Sequence, residues 1–276
     1  MFSPYYAAAR RRAGRRGGSA DPEQHCAINV GLYGPDRDHW AMTERAGRHV
    51  RRDRDRFVVG PSRMIWEDGG LTVVVDEVCM PLPRRLRGRI RLEPRALTGH
   101  GEFLDAHHRH LWRPLAPLAD IRVDFDQPDL HWSGSGYLDM NHGSEPLENG
   151  FRHWTWARGD RETGAAVIYD ATRRDGSTLE LALQFDAAGR TRRFAAPPVQ
   201  PLPTTLWRVG RSTRSQAPAD TRVLRTFEDT PFYARSSIEA RFDGTPVEMV
   251  HEALDLDRFA SRWVQTLLPF RMPRRG

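Results

Sequence analysis

Apolar and polar residues alternate along most of this chain in short runs separated by turn signals. Ile121-Arg-Val-Asp-Phe-Asp126 is the clearest: Ile121, Val123 and Phe125 fall on one side and charged residues on the other, as in a strand buried on one face. Ser62-Arg-Met-Ile-Trp66, the turn Glu67-Asp-Gly-Gly70 and the run Leu71-Thr-Val-Val-Val-Asp-Glu-Val78 predict a β-hairpin. A second hairpin is predicted where 165–170 and 179–185 flank Arg174-Asp-Gly-Ser177. Further strands are predicted at 25–33, 57–59, 87–92, 151–156, 206–209, 223–227 and 238–242. In 151–156 the alternation sets Phe151, His153 and Thr155 against Arg152, Trp154 and Trp156.

Helical spacing begins only near Asp255, where Leu256, Phe259, Trp263 and Leu267 share a face. Many short strands and little helix predict an all-β barrel or sandwich, in two β units with a short C-terminal helix. Residues 1–23 read as a disordered basic arm. The first β domain then spans 24–195. A linker over 196–203, within a stretch holding four prolines, leads to a smaller β unit over 204–276 that ends in the amphipathic helix.

Composition narrows the setting. Of 276 residues 39% are hydrophobic and 28% charged, and no apolar run approaches the roughly 20 residues of a membrane-spanning helix. The arginine-rich start is not followed by an apolar core and a small-residue cleavage site, so a secretory signal is not predicted and the cytoplasm is. Cys26 and Cys79 fit neither a disulfide framework nor a metal-ligand spacing, and read as buried, reduced thiols.

The formal charge is +6, and every cationic side chain counted in it is arginine. Arg10, Arg11, Arg12, Arg15 and Arg16 lie in an acid-free start, and Arg271, Arg274 and Arg275 in an acid-free end, which leaves the body near neutral. That distribution argues against a nucleic-acid groove, which needs a basic face on the folded body. Basic tails suit an anionic membrane surface at about 1 kcal/mol per arginine, or they serve solubility alone.

The chemistry concentrates in His131-Trp-Ser-Gly-Ser-Gly-Tyr-Leu-Asp139-Met-Asn141. In an extended segment Tyr137 and Asp139 point to one face, together with Ser135 and Asn141. Gly134 and Gly136 permit a bulge or a close backbone approach, and Trp132 flanks them. A carboxyl beside a phenol suits acid chemistry on something apolar; a strand-edge aspartate is the plainer alternative. Upstream, His107-His-Arg-His110 leads to Trp112, and His110 and Trp112 share the same two-residue spacing.

A metal site is not predicted, because His107 and His108 diverge in any regular structure and no carboxylate or cysteine pair stands at ligand spacing. Ser135 lacks the strand-to-helix elbow of a serine nucleophile. No phosphate-binding glycine pattern is present, so no nucleotide cofactor is predicted.

Five motifs in order carry a resemblance: His25-Cys-Ala-Ile-Asn-Val, Trp40-Ala-Met-Thr-Glu-Arg, Trp132-Ser-Gly-Ser-Gly-Tyr, Asn141-His-Gly-Ser-Glu-Pro-Leu-Glu and Phe151-Arg-His-Trp-Thr-Trp. Together they resemble the acyclic carotenoid 1,2-hydratase (hydroxyneurosporene synthase) family across residues 24–275. The resemblance implies a lipocalin-like β fold and a cofactor-free enzyme of phototrophic bacteria, one that adds water across the C1–C2 double bond of neurosporene, lycopene and similar acyclic carotenoids. It further implies that His110, Trp112, Tyr137 and Asp139 form the active site.

Hydrating such an alkene requires a proton on C2 and capture of the C1 cation by water. Asp139 is the expected donor, with His110 holding or recharging it. Trp112 and Tyr137 are expected to offer π faces to the cation, at about 0.5–2 kcal/mol each. A water-insoluble polyene must come from a bilayer, which predicts peripheral association at the cytoplasmic side of the intracytoplasmic membrane. The C-terminal segment with Arg258, Arg262 and Arg271 either lies on that interface or packs against the barrel. The alternative from another class is a non-catalytic carrier of apolar ligands on the same fold. Such a carrier has no use for Asp139 and His110 inside its cavity.

Overall fold

A computed structural model describes residues 3–35 and 37–275. The chain is all-β in character, with short helices, and divides into two compact units. The first comprises residues 1–94, 120–134 and 265–276; the second comprises 95–119 and 135–264.

In the first unit the predicted hairpin forms, Ser62–Glu67 pairing with Gly70–Val78 so that Glu67 faces Gly70. Asp68 and Gly69 both take positive φ, 49° and 72°, the two-residue turn whose twist matches the strands. Alternation along 121–126 is realised as read: Val123 and Phe125 are buried with Val30, Leu32, Val75 and Leu86. Gly88 makes room for that packing, since a Cβ there would lie 2.4 Å from the Phe125 ring.

The N-terminal arm corrects the reading of disorder. Pro4–Gly14 is a helix capped by Ser3, whose hydroxyl accepts the Tyr6 amide and donates to the buried Glu44. A side-chain cap and proline in the first turn start it, and Ala7 buries its inner face. Glu44 also receives His25 at 2.8 Å and Arg274, so one carboxylate gathers both ends of the chain. Of the two cysteines, Cys79 is buried and Cys26 only half-buried; both are free thiols.

The second unit is built on a seven-stranded antiparallel sheet in the order Thr191–Arg193, Thr178–Phe185, Gly164–Arg173, Phe151–Arg161, Thr245–Asp255, Tyr233–Phe242, Arg222–Asp229. The second hairpin forms its second and third strands, with Ile168 opposite Ala182. One face of the sheet is apolar core: Ala157, Ile168, Ala182, Ile238 and Met249 pack there with Leu202.

Two boundaries differ from the sequence reading. The proline-rich stretch does not divide the chain, because Val199–Leu202 is a strand paired with Arg211–Arg214 and both its sides belong to the second unit. A two-stranded ribbon leaves edge positions where Pro201 needs no donor. The C-terminal helix is two helices, Leu256–Ala260 and Arg262–Arg271, with Ser261 extended between them. That break turns the expected face apart: Leu256 and Phe259 are buried, while Trp263 and Leu267 are exposed and Val264 and Leu268 are buried in their place.

Candidate active site

Strand period two places Tyr137 and Asp139 together, as the sequence predicts, on the long strand Asp129–Gly143. The Tyr137 hydroxyl donates to Asp139 Oδ2 at 3.2 Å. Trp112, on the strand His110–Gln127, donates its indole N–H to the same oxygen at 2.8 Å. No other side chain among the described residues bonds this carboxyl, so Oδ1 is left for a proton. Ser135 and Asn141, expected on the same face, are exposed, as are His131 and Trp132.

The sheet supplies the other wall. Cross-strand pairs share a face, and Tyr169, Trp156, Glu252 and Arg235 stand in one row across four strands. Trp154 and Tyr233 lie two residues along on the same face. Tyr169 is fully buried between the edges of Trp112, at 5.7 Å between ring centres, and Trp154, at 5.9 Å. Glu252 is held by the Arg235 guanidinium, at 3.1 and 2.7 Å to Oε1.

Burial pushes the Asp139 carboxyl above its ordinary range, and the negative Glu252 nearby adds to the rise; the Trp112 and Tyr137 donors pull the other way. The phenol of Tyr137 is raised well above its ordinary value, first by burial and then by the Asp139 charge. Tyr169 is raised likewise by burial and by Asp139 and Glu252. The result is a carboxyl biased toward its neutral form, with hydrogen-bond donors waiting on one oxygen. Such a group can give a proton from Oδ1 while Oδ2 takes up the charge.

Two sequence expectations change. His110 does not touch Asp139: its ring packs 5.0 Å from Phe151, and its Nε2 lies 3.4 Å from Glu145 Oε1 without forming a hydrogen bond. Gly143 and Gly150 clear its space, since a Cβ at either would sit 2.9 Å from a ring nitrogen. Trp112 is wholly buried and edge-on to Tyr169, and Tyr137 lies between Trp156, at 5.4 Å, and the Arg158 guanidinium, at 5.7 Å. Both meet the acid with a polar hydrogen, which the sequence reading did not foresee.

Glu252, Arg235 and Tyr169 were not found from sequence, because only strand pairing brings them beside Asp139. Trp156 was noted for its alternation alone; its buried Nε1 has no hydrogen-bond partner and is an unspent donor in the site.

An all-β chain with a partly buried carboxyl of raised proton affinity among aromatic rings defines an acid-bearing, lipocalin-like protein. A solved structure assigned as AttH from Nitrosomonas europaea shares this fold, with a TM-score of 0.60 at 16% identity over 85% of this chain and 81% of that one. The family model for the carotenoid hydratase CrtC matches residues 1–276. This chain is 48% identical over 277 residues to the acyclic carotenoid 1,2-hydratase of Thiocapsa roseopersicina, covering all of this chain and 67% of that protein. It is 42% identical over 276 residues to the enzyme of that name from Cereibacter sphaeroides, covering all of this chain and 95% of that protein. The chain belongs to the carotenoid hydratase family and is an enzyme of it. The apolar-carrier alternative is thereby set aside.

Proposed function

We propose that the protein hydrates the terminal C1–C2 double bond of acyclic carotenoids such as neurosporene and lycopene, giving the 1-hydroxy product, and that Asp139 is the acid. The observation that carries this reading is the convergence of the Trp112 and Tyr137 donors on one oxygen of a partly buried carboxyl. Asp139 delivers its proton from Oδ1 to C2, and the C1–C2 π electrons form the new C–H bond. The electron pair left on the carboxylate is met by the two donors on Oδ2. Water adds to the tertiary cation at C1, and its surplus proton returns to the carboxylate, which closes the cycle without a cofactor.

His110 supports the site at one remove in this reading, by fixing the start of the strand that carries Trp112. Its backbone amide donates to Asp105 Oδ2 at 2.8 Å while its ring fills the space left by two glycines.

Peripheral association with a bilayer belongs to the same proposal. No helix among the described residues is long and apolar enough to cross a membrane. The helix Arg262–Arg271 instead exposes Trp263, Leu267 and Phe270, the last 71% exposed. Amphipathic aromatic side chains of this kind suit the headgroup boundary.

Lycopene incubated with the purified protein in deuterated water tests the chemistry. Mass spectrometry and NMR of the 1-hydroxy product should find deuterium on C2. A hydroxylated product with no label at C2 rejects protonation as the first step, and no product at all rejects the substrate class. Flotation with liposomes before and after Phe270→Ser and Trp263→Ser tests the membrane contact, which requires the variants to float less.

A further inference from the structure

The first unit carries a concavity of about 780 Å³ lined by Arg45, Arg48, Arg51, Arg56 and Arg275. Sequence alone placed the positive charge at the chain ends, yet four of these arginines come from the body. The fold gathers them by local means. A single helical turn, Gly47–His49, sets Arg48 ahead of the strand Val50–Arg52, which pairs with Arg56–Val59. The C-terminal strand Arg274–Arg275 pairs in parallel with Glu44–Arg45 and lays Arg275 beside Arg45.

These cations are poorly compensated. Arg48, Arg51, Arg56 and Arg275 make no ion pair among the described residues. Arg45 is 6% exposed and binds Glu77 at 3.1 Å through Nη2, while its Nη1 is buried with no hydrogen-bond partner. Gly60, at a φ of +61°, holds the space for this side chain, since a Cβ there would lie 2.5 Å from its Nε. Asp53, the carboxylate that also lines the pocket, spends Oδ1 on the Asp55 amide of its own turn at 3.0 Å.

We propose that this pocket binds a phosphate-type oxyanion, presented either by a lipid headgroup or as free phosphate. Like charges held together repel, and an anion relieves that repulsion. A phosphate offers several acceptor oxygens to several guanidinium forks at once, which chloride cannot do. Glu77 already fixes the Arg45 guanidinium, so bringing an anion beside this side chain costs little ordering. Val58, Gly60 and Pro61 form the apolar part of the lining; His49 adds an imidazole, and no phenyl, phenol or indole ring lines the pocket as a stacking platform for a nucleobase. The inference is independent of the hydration chemistry, since every group it uses lies in the first unit.

The test uses the whole protein and the triple variant Arg48→Gln/Arg51→Gln/Arg56→Gln, all three side chains being exposed and replaceable without disturbing the core. One arm is calorimetric titration with inorganic phosphate at constant ionic strength, with sodium chloride as the control. The other is flotation with phosphatidylcholine vesicles with and without phosphatidylglycerol. The parent should bind saturably in at least one arm, and the variant should bind about tenfold more weakly or worse. Binding to phosphate alone identifies a free anion as the source, and binding to vesicles alone a headgroup. A parent that binds in neither arm, or a variant that binds as well as the parent, overturns the proposal. Arg45→Gln asks the same of the buried guanidinium; should that protein not fold, the triple variant still decides.

Discussion

Two carboxyls, one in each unit, are pushed above the ordinary carboxylate range by burial, and only one is equipped to act. In the first unit Glu77 meets the Arg45 guanidinium at 3.1 Å and the Ser62 hydroxyl at 3.0 Å. The cation pulls its proton affinity back down and accepts its charge. In the second unit Asp139 has two neutral donors on one oxygen and the anionic Glu252 in its field. The fold penalises the charge on Asp139, and among the described residues no cation forms an ion pair with it. A buried acid beside a cation braces a fold, whereas a buried acid beside neutral donors is poised to lose and regain a proton.

Removing each carboxyl should separate these roles most sharply. Asp139→Asn keeps a carbonyl acceptor for Trp112 and Tyr137 but has no proton to give, and turnover should fall by about 10²–10⁴-fold, the usual contribution of a general acid. Glu77→Gln should leave kcat/KM per folded molecule unchanged and instead lower stability by about 3 kcal/mol, because Arg45 is left buried without its counter-charge. Turnover assays beside urea denaturation check both. An active Asp139→Asn enzyme removes the difference between the two carboxyls.

How much of this was legible depends on the range over which each signal acts. Tyr137 and Asp139 could be paired from sequence because strand period fixes which neighbours share a face. Both hairpins were legible for the same reason, their turns being written in Asp-Gly chemistry. Glu252 could not be found, since nothing in Thr245–Asp255 marks it until that strand pairs with Phe151–Arg161 and Tyr233–Phe242. The N-terminal helix was hidden likewise, because its cap also binds Glu44, a partner distant in sequence. Trp112 was read from sequence as an aromatic face, and the N–H it gives to Asp139 could not be read there, because the bond depends on how two strands pair.

Glu252 offers a finer cut. Its charge raises the Asp139 proton affinity, so Glu252→Gln should lower it. The proposed reaction needs the protonated acid, so activity should be lost as pH rises through the Asp139 pKa. The alkaline limb of the kcat/KM profile should therefore move to lower pH in this variant, and the freed Arg235 charge pushes the same way. A limb that stays in place means that Glu252 does not reach Asp139 electrically.

The two donors should shift that limb in the opposite direction. Trp112 and Tyr137 hydrogen bonds favour the carboxylate, so removing either raises the Asp139 pKa and carries the alkaline limb to higher pH. Trp112→Phe, losing the 2.8 Å bond, should also slow turnover about ten- to a hundredfold, as loss of a donor to a charged group does. Tyr137→Phe loses the longer 3.2 Å bond and keeps the ring between Trp156 and Arg158, so its effect should have the same sign and be smaller. The limb reads the two hydrogen bonds to Asp139 whatever the ring faces do, so a limb that keeps its wild-type position in both variants means that neither donor governs the acid. The pH profile of Tyr137→Phe thus tests donation to Asp139 even where the change in rate is slight.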